Sequence, residues 1–144
     1  MPLKDHSNRT IDYLRISVTD RCNLSCAYCK PRSQVKMTPH QEILRYEEML
    51  RIVRIAVPLG ISHVRITGGE PLVRRGVLGF IAELREVAGI EDVSLTTNGV
   101  LLAEHAQALA DAGLHRVTVS LDTLHRDRFV TLTRADDLDR VLEG

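Results

Sequence analysis

Cys22, Cys26 and Cys29 are the only three cysteines of the chain, and they fall in the run Cys22-Asn23-Leu24-Ser25-Cys26-Ala27-Tyr28-Cys29. This CxxxCxxC spacing directly follows a strand-like run, Leu14-Arg15-Ile16-Ser17-Val18-Thr19, and two linking residues. A [4Fe–4S] cubane usually takes four thiolates. Three thiolates on one loop leave one iron without a protein ligand. Catalytic metal sites keep an open position, whereas structural sites are closed. The spacing therefore points to a catalytic cluster whose fourth ligand is a small molecule.

Blander readings stand beside this one. Three cysteines cannot pair as disulfides without leaving one over, and no secretory segment points to an oxidising compartment. A structural zinc site wants a fourth Cys or His at close spacing. His40 is the nearest downstream candidate, eleven residues past Cys29, with no finger-like spacing. Cysteines are also often buried small hydrophobes. Flanked by Asp20, Arg21, Asn23 and Ser25, these do not look like core.

The elements that must position the cysteines repeat as strand then helix. Leu14–Thr19, Val64–Thr67, Val93–Thr97 and Val117–Leu121 are short and rich in β-branched residues, as strands are. Between them lie helical patterns. Met49, Leu50, Val53, Ala56 and Val57 recur at three- and four-residue steps up to Gly60. Thr38-Pro39-His40-Gln41 ahead of them has the form of an N-cap with Pro at N1 and a capping-box Gln. Two features run against that helix: Arg45 stands where a better N-cap is expected, and Pro58 comes late. A second pattern (Leu78, Ile81, Ala82, then Leu84 or Arg85) runs to Gly89, and a third, Leu101 to Ala112, ends at Gly113 as a C′ glycine. A fourth starts near Leu138. Such alternation predicts an α/β fold with a parallel sheet and right-handed crossovers. Both an open doubly wound sheet and a (β/α) barrel fit.

In both architectures function collects at the C-terminal ends of the strands. The unusual residues are there: the cysteine loop after the first strand, Gly68-Gly69-Glu70-Pro71 after the second, Thr97-Asn98-Gly99 after the third, and Ser120-Leu121-Asp122 at the fourth. Gly68-Gly69 reads as a turn pair or as backbone left bare for a ligand, with Glu70 and Pro71 as a rigid, ligand-facing edge. Thr97-Asn98-Gly99 alone is a turn signal. Arg15 and Arg65 lie inside strands, where a charge facing a packed core is costly. In a barrel lumen they would meet an anion, and phosphate is a natural one. The alternative is a buried ion pair with Glu70 or Asp122.

Length and composition bound the rest. The chain has 144 residues, one ordinary domain's worth. Nineteen basic and 19 acidic residues give a formal net charge of zero, so no electrostatic footprint argues for a nucleic-acid partner. The start, Met1-Pro2-Leu3-Lys4-Asp5-His6-Ser7-Asn8-Arg9, is too polar for a signal peptide. No apolar stretch approaches the ~20 residues needed to span a membrane, so no membrane partner is expected. The expected location is the reducing cytoplasm. With two Phe, three Tyr and no Trp, the core must be aliphatic.

The cysteine motif, with the aromatic Tyr28 before its third cysteine, resembles the radical S-adenosylmethionine (SAM) superfamily, and Gly68-Gly69-Glu70-Pro71 resembles that superfamily's second motif. More narrowly, four segments resemble the GTP 3′,8-cyclase family of molybdenum cofactor biosynthesis. They are Leu14 to Asn23, Val64 to Leu72, Leu95 to Gly99, and Asp111 to Asp122, and the likeness runs from about Arg9 to the last residue. The resemblance implies that Cys22, Cys26 and Cys29 bind a [4Fe–4S] cluster whose open iron takes SAM. It implies contacts to SAM from Tyr28, Gly69 and Ser120, and to GTP from Arg15, Arg65 and Thr96. It implies a radical cyclisation joining C3′ of the GTP ribose to C8 of guanine, with an external one-electron donor.

One departure from that family is large. Its members are much longer, complete the barrel, and carry a second [4Fe–4S] cluster near the C-terminus. This chain has no second cysteine set. Residues 1–144 are therefore expected to form the N-terminal part of a radical SAM core domain, a partial TIM-type (β/α) barrel of roughly the first four β/α units. Such a part is expected to be inactive alone and to expose a sheet edge that invites association, a homodimer among the options. Two alternatives stay open: a radical SAM enzyme acting on a peptide, and a non-catalytic, metal-binding remnant.

Overall fold

In a computed structural model, residues 3–29 and 37–144 are described. Met1 and Pro2, at the start of the polar N-terminal run, lie outside them. Four strands, β1 (Tyr13–Ser17), β2 (His63–Thr67), β3 (Asp92–Thr97) and β4 (Arg116–Val119), form one sheet in the order β1-β2-β3-β4. Every neighbouring pair is parallel. An open doubly wound sheet reverses its strand order, whereas a (β/α) barrel adds strands in sequence. The observed order is that of a partial TIM-type barrel.

Helices α1 (Tyr46–Ala56), α2 (Val77–Arg85) and α3 (Leu102–Asp111) provide the crossovers. Two more follow β4, α4 (Arg126–Thr133) and α5 (Leu138–Glu143). Val64, Ile66, Val93 and Leu95 are fully buried and meet Leu50 and Val53 of α1 and Phe80, Ile81 and Leu84 of α2 in the main core. The other sheet face carries Arg15, Arg65, Thr67, Thr96 and Thr118, and it is open. Strand β4 is exposed at all four positions, and Val117 and Val119 keep about two-fifths of their surface in solvent. Among the described residues no helix is long and apolar enough to cross a membrane.

Several local expectations are corrected. Thr38-Pro39 does not cap α1: His40–Glu42 is a separate 3₁₀ turn with no side-chain cap. α1 starts after Arg45, whose backbone N–H donates to Glu48 Oε2 at 2.7 Å. This is the reciprocal half of a capping box, and it compensates for the poor N-cap. Pro58 lies outside the helix, in the 3₁₀ turn Val57–Leu59 that ends at Gly60 in the left-handed region. On α2 the buried stripe is Val77, Phe80, Ile81 and Leu84, with Leu78 only half-buried. Helix α4 has no counterpart in the sequence reading.

Candidate active site

The loop after β2 is held from inside. Glu70 is fully buried. Its Oε1 accepts from the Leu72 N–H at 3.0 Å and the Thr97 hydroxyl at 2.9 Å, and its Oε2 accepts from the Asn98 N–H at 2.7 Å. The carboxylate therefore ties this loop to the end of β3 and does not face a ligand, correcting the expected ligand-facing edge. The glycines have a packing reason as well. A Cβ on Gly68 would stand 2.6 Å from the Thr19 carbonyl oxygen, and one on Gly69 would stand 2.3 Å from that of Arg21. The Gly69 and Glu70 N–H groups donate to Thr19 and Arg21 at 2.7 and 2.8 Å. Bare backbone here lets the β2 loop lie against the segment entering the cysteine loop.

The cysteine loop is anchored from the other side by α4. Ser25 and Ala27 donate their N–H groups to the carbonyls of Thr133 and Leu132 at 3.2 and 2.8 Å. Leu24 is buried in a second, smaller core with Val100, Phe129, Leu138 and Val141, against which Cys22 and Cys26 pack. The three thiols are free, with Cys29 exposed. Burial pushes the Cys26 thiol up from its ordinary range, and the neighbouring Cys22 and Cys29 add to the shift. Tyr28 is mostly exposed, and its hydroxyl donates to Asp122 Oδ2 at 2.7 Å. This hydrogen bond to a carboxylate is the main reason its phenol is held well above its ordinary range. It also links the cysteine loop to the loop after β4.

Seven of the nine predicted site residues, Cys22, Cys26, Tyr28, Cys29, Gly69, Thr96 and Ser120, line one cavity of about 330 Å³. That is within the usual range for small-molecule sites, and its walls are the C-terminal ends of all four strands. Arg15 and Arg65 lie outside the lining, paired in register on the open face at the middle of β1 and β2. Arg65 Nη1 donates to Thr118 Oγ1 at 3.2 Å and Thr96 Oγ1 at 3.4 Å, so it reaches the floor of the cavity. Its Nε is buried without a partner. The expected alternative for these arginines, an ion pair with Glu70 or Asp122, is overturned. Those carboxylates face Leu72, Thr97 and Asn98, and Tyr28. Among the described residues neither Arg15 nor Arg65 makes a salt bridge.

Sequence reasoning assigned no site role to four contributors. Asn98, placed on the functional rim but by itself only a turn signal, touches Cys22 Sγ at 3.7 Å and Asn23 Oδ1 at 2.8 Å. Asp122 is the partner of Tyr28. Phe129 and Thr133 of α4 line the cavity. The only signal for α4 was the apolar pattern of Phe129, Val130 and Leu132 in a polar stretch.

Three free thiols around one cavity could hold an iron–sulfur cluster with one open iron. Among the described residues no three Cys, His, Asp or Glu side chains are gathered tightly enough for a single ion. A cubane does not require that, because each thiolate sits on its own iron. The donors fit such a cluster.

The sequence profile of the radical SAM superfamily matches residues 16–144. A GTP 3′,8-cyclase of Thermodesulfovibrio yellowstonii is 54% identical over 143 residues, covering 99% of this chain and 44% of that protein. Another from Geobacter sulfurreducens is 51% identical over 144 residues, covering 100% of this chain and 44% of that protein. The chain thus spans less than half the length of these relatives. Among solved structures, SuiB of Streptococcus suis bound to S-adenosylmethionine superposes with a TM-score of 0.65 at 24% identity, over 90% of this chain and 29% of that one. BtrN in complex with AdoMet and 2-DOIA gives 0.58 at 19% identity, over 77% and 46%. At those identities the two structures speak for the fold alone. With its profile match over nearly the whole length, the chain belongs to the radical SAM superfamily, whose members pair a [4Fe–4S] cluster with S-adenosylmethionine.

Proposed function

We propose that the chain is the N-terminal part of a GTP 3′,8-cyclase of molybdenum cofactor biosynthesis. Cys22, Cys26 and Cys29 hold a [4Fe–4S] cluster, and the cavity beside them takes SAM. When bound and reduced by an external donor, the cluster supplies the electron that breaks a carbon–sulfur bond of SAM. The chain's own residues bind, orient and exclude water. Tyr28, Gly69 and Ser120 contact SAM. Gly69 does so through its carbonyl, because its N–H is held by Thr19. Thr96, Arg65 and Arg15 receive GTP, with the guanidinium groups meeting its phosphates bidentately. The second cluster belongs to the part of the family not represented here, so residues 1–144 alone would not cyclise GTP.

The observation that carries this reading is the pair of arginines on the open sheet face with no carboxylate to neutralise them. A charge hydrogen-bonded to the cavity-lining Thr96, with an orphaned Nε, calls for an anionic ligand. A peptide substrate offers no triphosphate to meet them. The test is anaerobic reconstitution with iron and sulfide, followed by EPR of the reduced chain alone, with SAM, and with GTP. A [4Fe–4S]⁺ signal that changes on adding SAM is expected. GTP retained by the chain and lost in Arg65→Ala is expected too. A cluster indifferent to SAM, zinc in place of iron, or cyclic product from this chain alone would each sink part of the proposal.

A further inference from the structure

Cys22 is held differently from the other two cysteines. Its Sγ accepts from the Leu24 backbone N–H at 3.4 Å and from the Asn98 side-chain amide at 3.7 Å. Among the described residues the Asn98 amide reaches Cys22 alone of the three cysteines. Asn98 is fixed on three sides. Its backbone N–H donates to the buried Glu70, its Oδ1 accepts from the Val100 N–H at 3.1 Å, and its Nδ2 donates to Asn23 Oδ1 at 2.8 Å. The acceptor contact with Val100 and the donor contact with Asn23 leave only one orientation for the amide, nitrogen toward the sulfur. Asn98 is thus the point where the buried carboxylate of the β2 loop is coupled to one cysteine of three.

We infer that Asn98 is a positioning residue that sets the reduction potential of the cluster through its N–H···S hydrogen bond to Cys22. The inference rests on the proposed cluster. Hydrogen bonds to the ligating sulfurs are among the levers that set iron–sulfur potentials. An N–H dipole aimed at a thiolate draws charge from it and favours the form carrying one more electron. That electron comes from the external donor, and no bond is made or broken in the transfer. Asn98 therefore raises the midpoint, making the cluster easier to reduce. Its hold on Asn23 keeps the sulfur in place beneath the amide.

The test is an EPR-monitored potentiometric titration of the reconstituted chain, wild type against Asn98→Asp and Asn98→Ser. Asn98→Asp keeps the acceptor for Val100 but replaces the donor with a carboxylate oxygen. Asn98→Ser keeps a turn-forming oxygen and adds no charge. Both are expected to bind iron and sulfide at the wild-type ratio. Both midpoints are expected to shift to more negative values, Asn98→Asp further than Asn98→Ser. Unchanged midpoints on full clusters overturn the inference and leave the cluster reading intact. Loss of iron from both variants, with wild type loaded, makes the role structural and overturns the tuning. A wild-type chain that takes up no iron overturns the cluster reading and this inference with it.

Discussion

The two loops that meet beneath the cavity are built on opposite plans. The glycine loop after β2 faces inward. Its carboxylate is fully buried with three donors, its N–H groups are bonded to Thr19 and Arg21, and its glycines leave no room for a Cβ. The cysteine loop faces outward. Its thiols form no disulfide, Tyr28 is 65% exposed, and its hold on the protein includes Leu24, two backbone hydrogen bonds to the end of α4, the Asn98 amide on Asn23 and Cys22, and the Tyr28–Asp122 contact. The difference separates scaffold from donor. A group that must accept a ligand cannot also be saturated by the protein, so its geometry has to come from a neighbour that is.

The sharpest way to break this contrast is to give the scaffold a methyl group. In Gly69→Ala the new Cβ would stand 2.3 Å from Arg21 O and 2.7 Å from Arg21 C, both backbone atoms. No side chain can swing aside. Relief requires the loops to part and the N–H bonds to Thr19 and Arg21 to break. A cost of about 4 kcal/mol or more is expected in urea unfolding, in the range reserved for severe steric defects. Gly79→Ala is the control: nothing lies within 4 Å of its Cβ, inside helix α2. It should gain up to about 1 kcal/mol from helix propensity. Wild-type stability in Gly69→Ala would mean that the loops do not brace each other.

A smaller and more local effect should come from the donor side. Phe129 is buried in the satellite core with Leu24. Phe129→Ala is expected to cost about 3 kcal/mol, the low end for a buried aromatic because this core is small. Hydrogen exchange locates the damage. The Ser25 and Ala27 amides, bonded to Thr133 and Leu132, should lose protection while those of β2 and β3 keep it. Uniform loss across the sheet would make the two loops one cooperative unit.

How much of this was legible in the sequence follows from the same contrast. The strands, the aliphatic core and the three cysteines announce themselves by residue type and spacing, which the chain carries locally. The direction of a polar side chain is not local. Glu70 reads as a rim residue, but Thr97 and Asn98, 27 and 28 residues on, draw it inward. The arginines remain without carboxylates because Glu70 and Asp122 are already engaged, which no spacing reveals. Helix α4 was missed because it buries only Phe129 and Thr133, too little for a periodic stripe. Asn98 looked like a turn because it is one, and its second role lies in the amide end that the turn leaves over.

The finest test of the scaffold lies behind the glycine loop, at Tyr46. Its ring stacks on Phe80 at 4.7 Å and carries the Arg74 guanidinium 4.1 Å above its centroid. Arg74 in turn donates to the carbonyls of Val18 and Leu44. The Tyr46 hydroxyl is buried without a partner among the described residues, and burial pushes its pKa up to about 12. An unfolded tyrosine titrates near 10. The folded chain therefore holds this proton more tightly than the unfolded one. The stability linked to it is fully present below pH ~10 and is lost as pH rises through about 12. Tyr46→Phe keeps both ring contacts and removes an unpaired polar group, so it should stabilise the chain by up to about 1 kcal/mol at neutral pH. Its unfolding free energy should also fall less steeply between pH ~10 and 12, with Tyr28 and Cys26 supplying the slope that remains. A destabilised Tyr46→Phe at neutral pH would reveal a hydroxyl partner and a looser scaffold. An alkaline slope equal to wild type would assign the lost protons to Tyr28 and Cys26, both on the donor side.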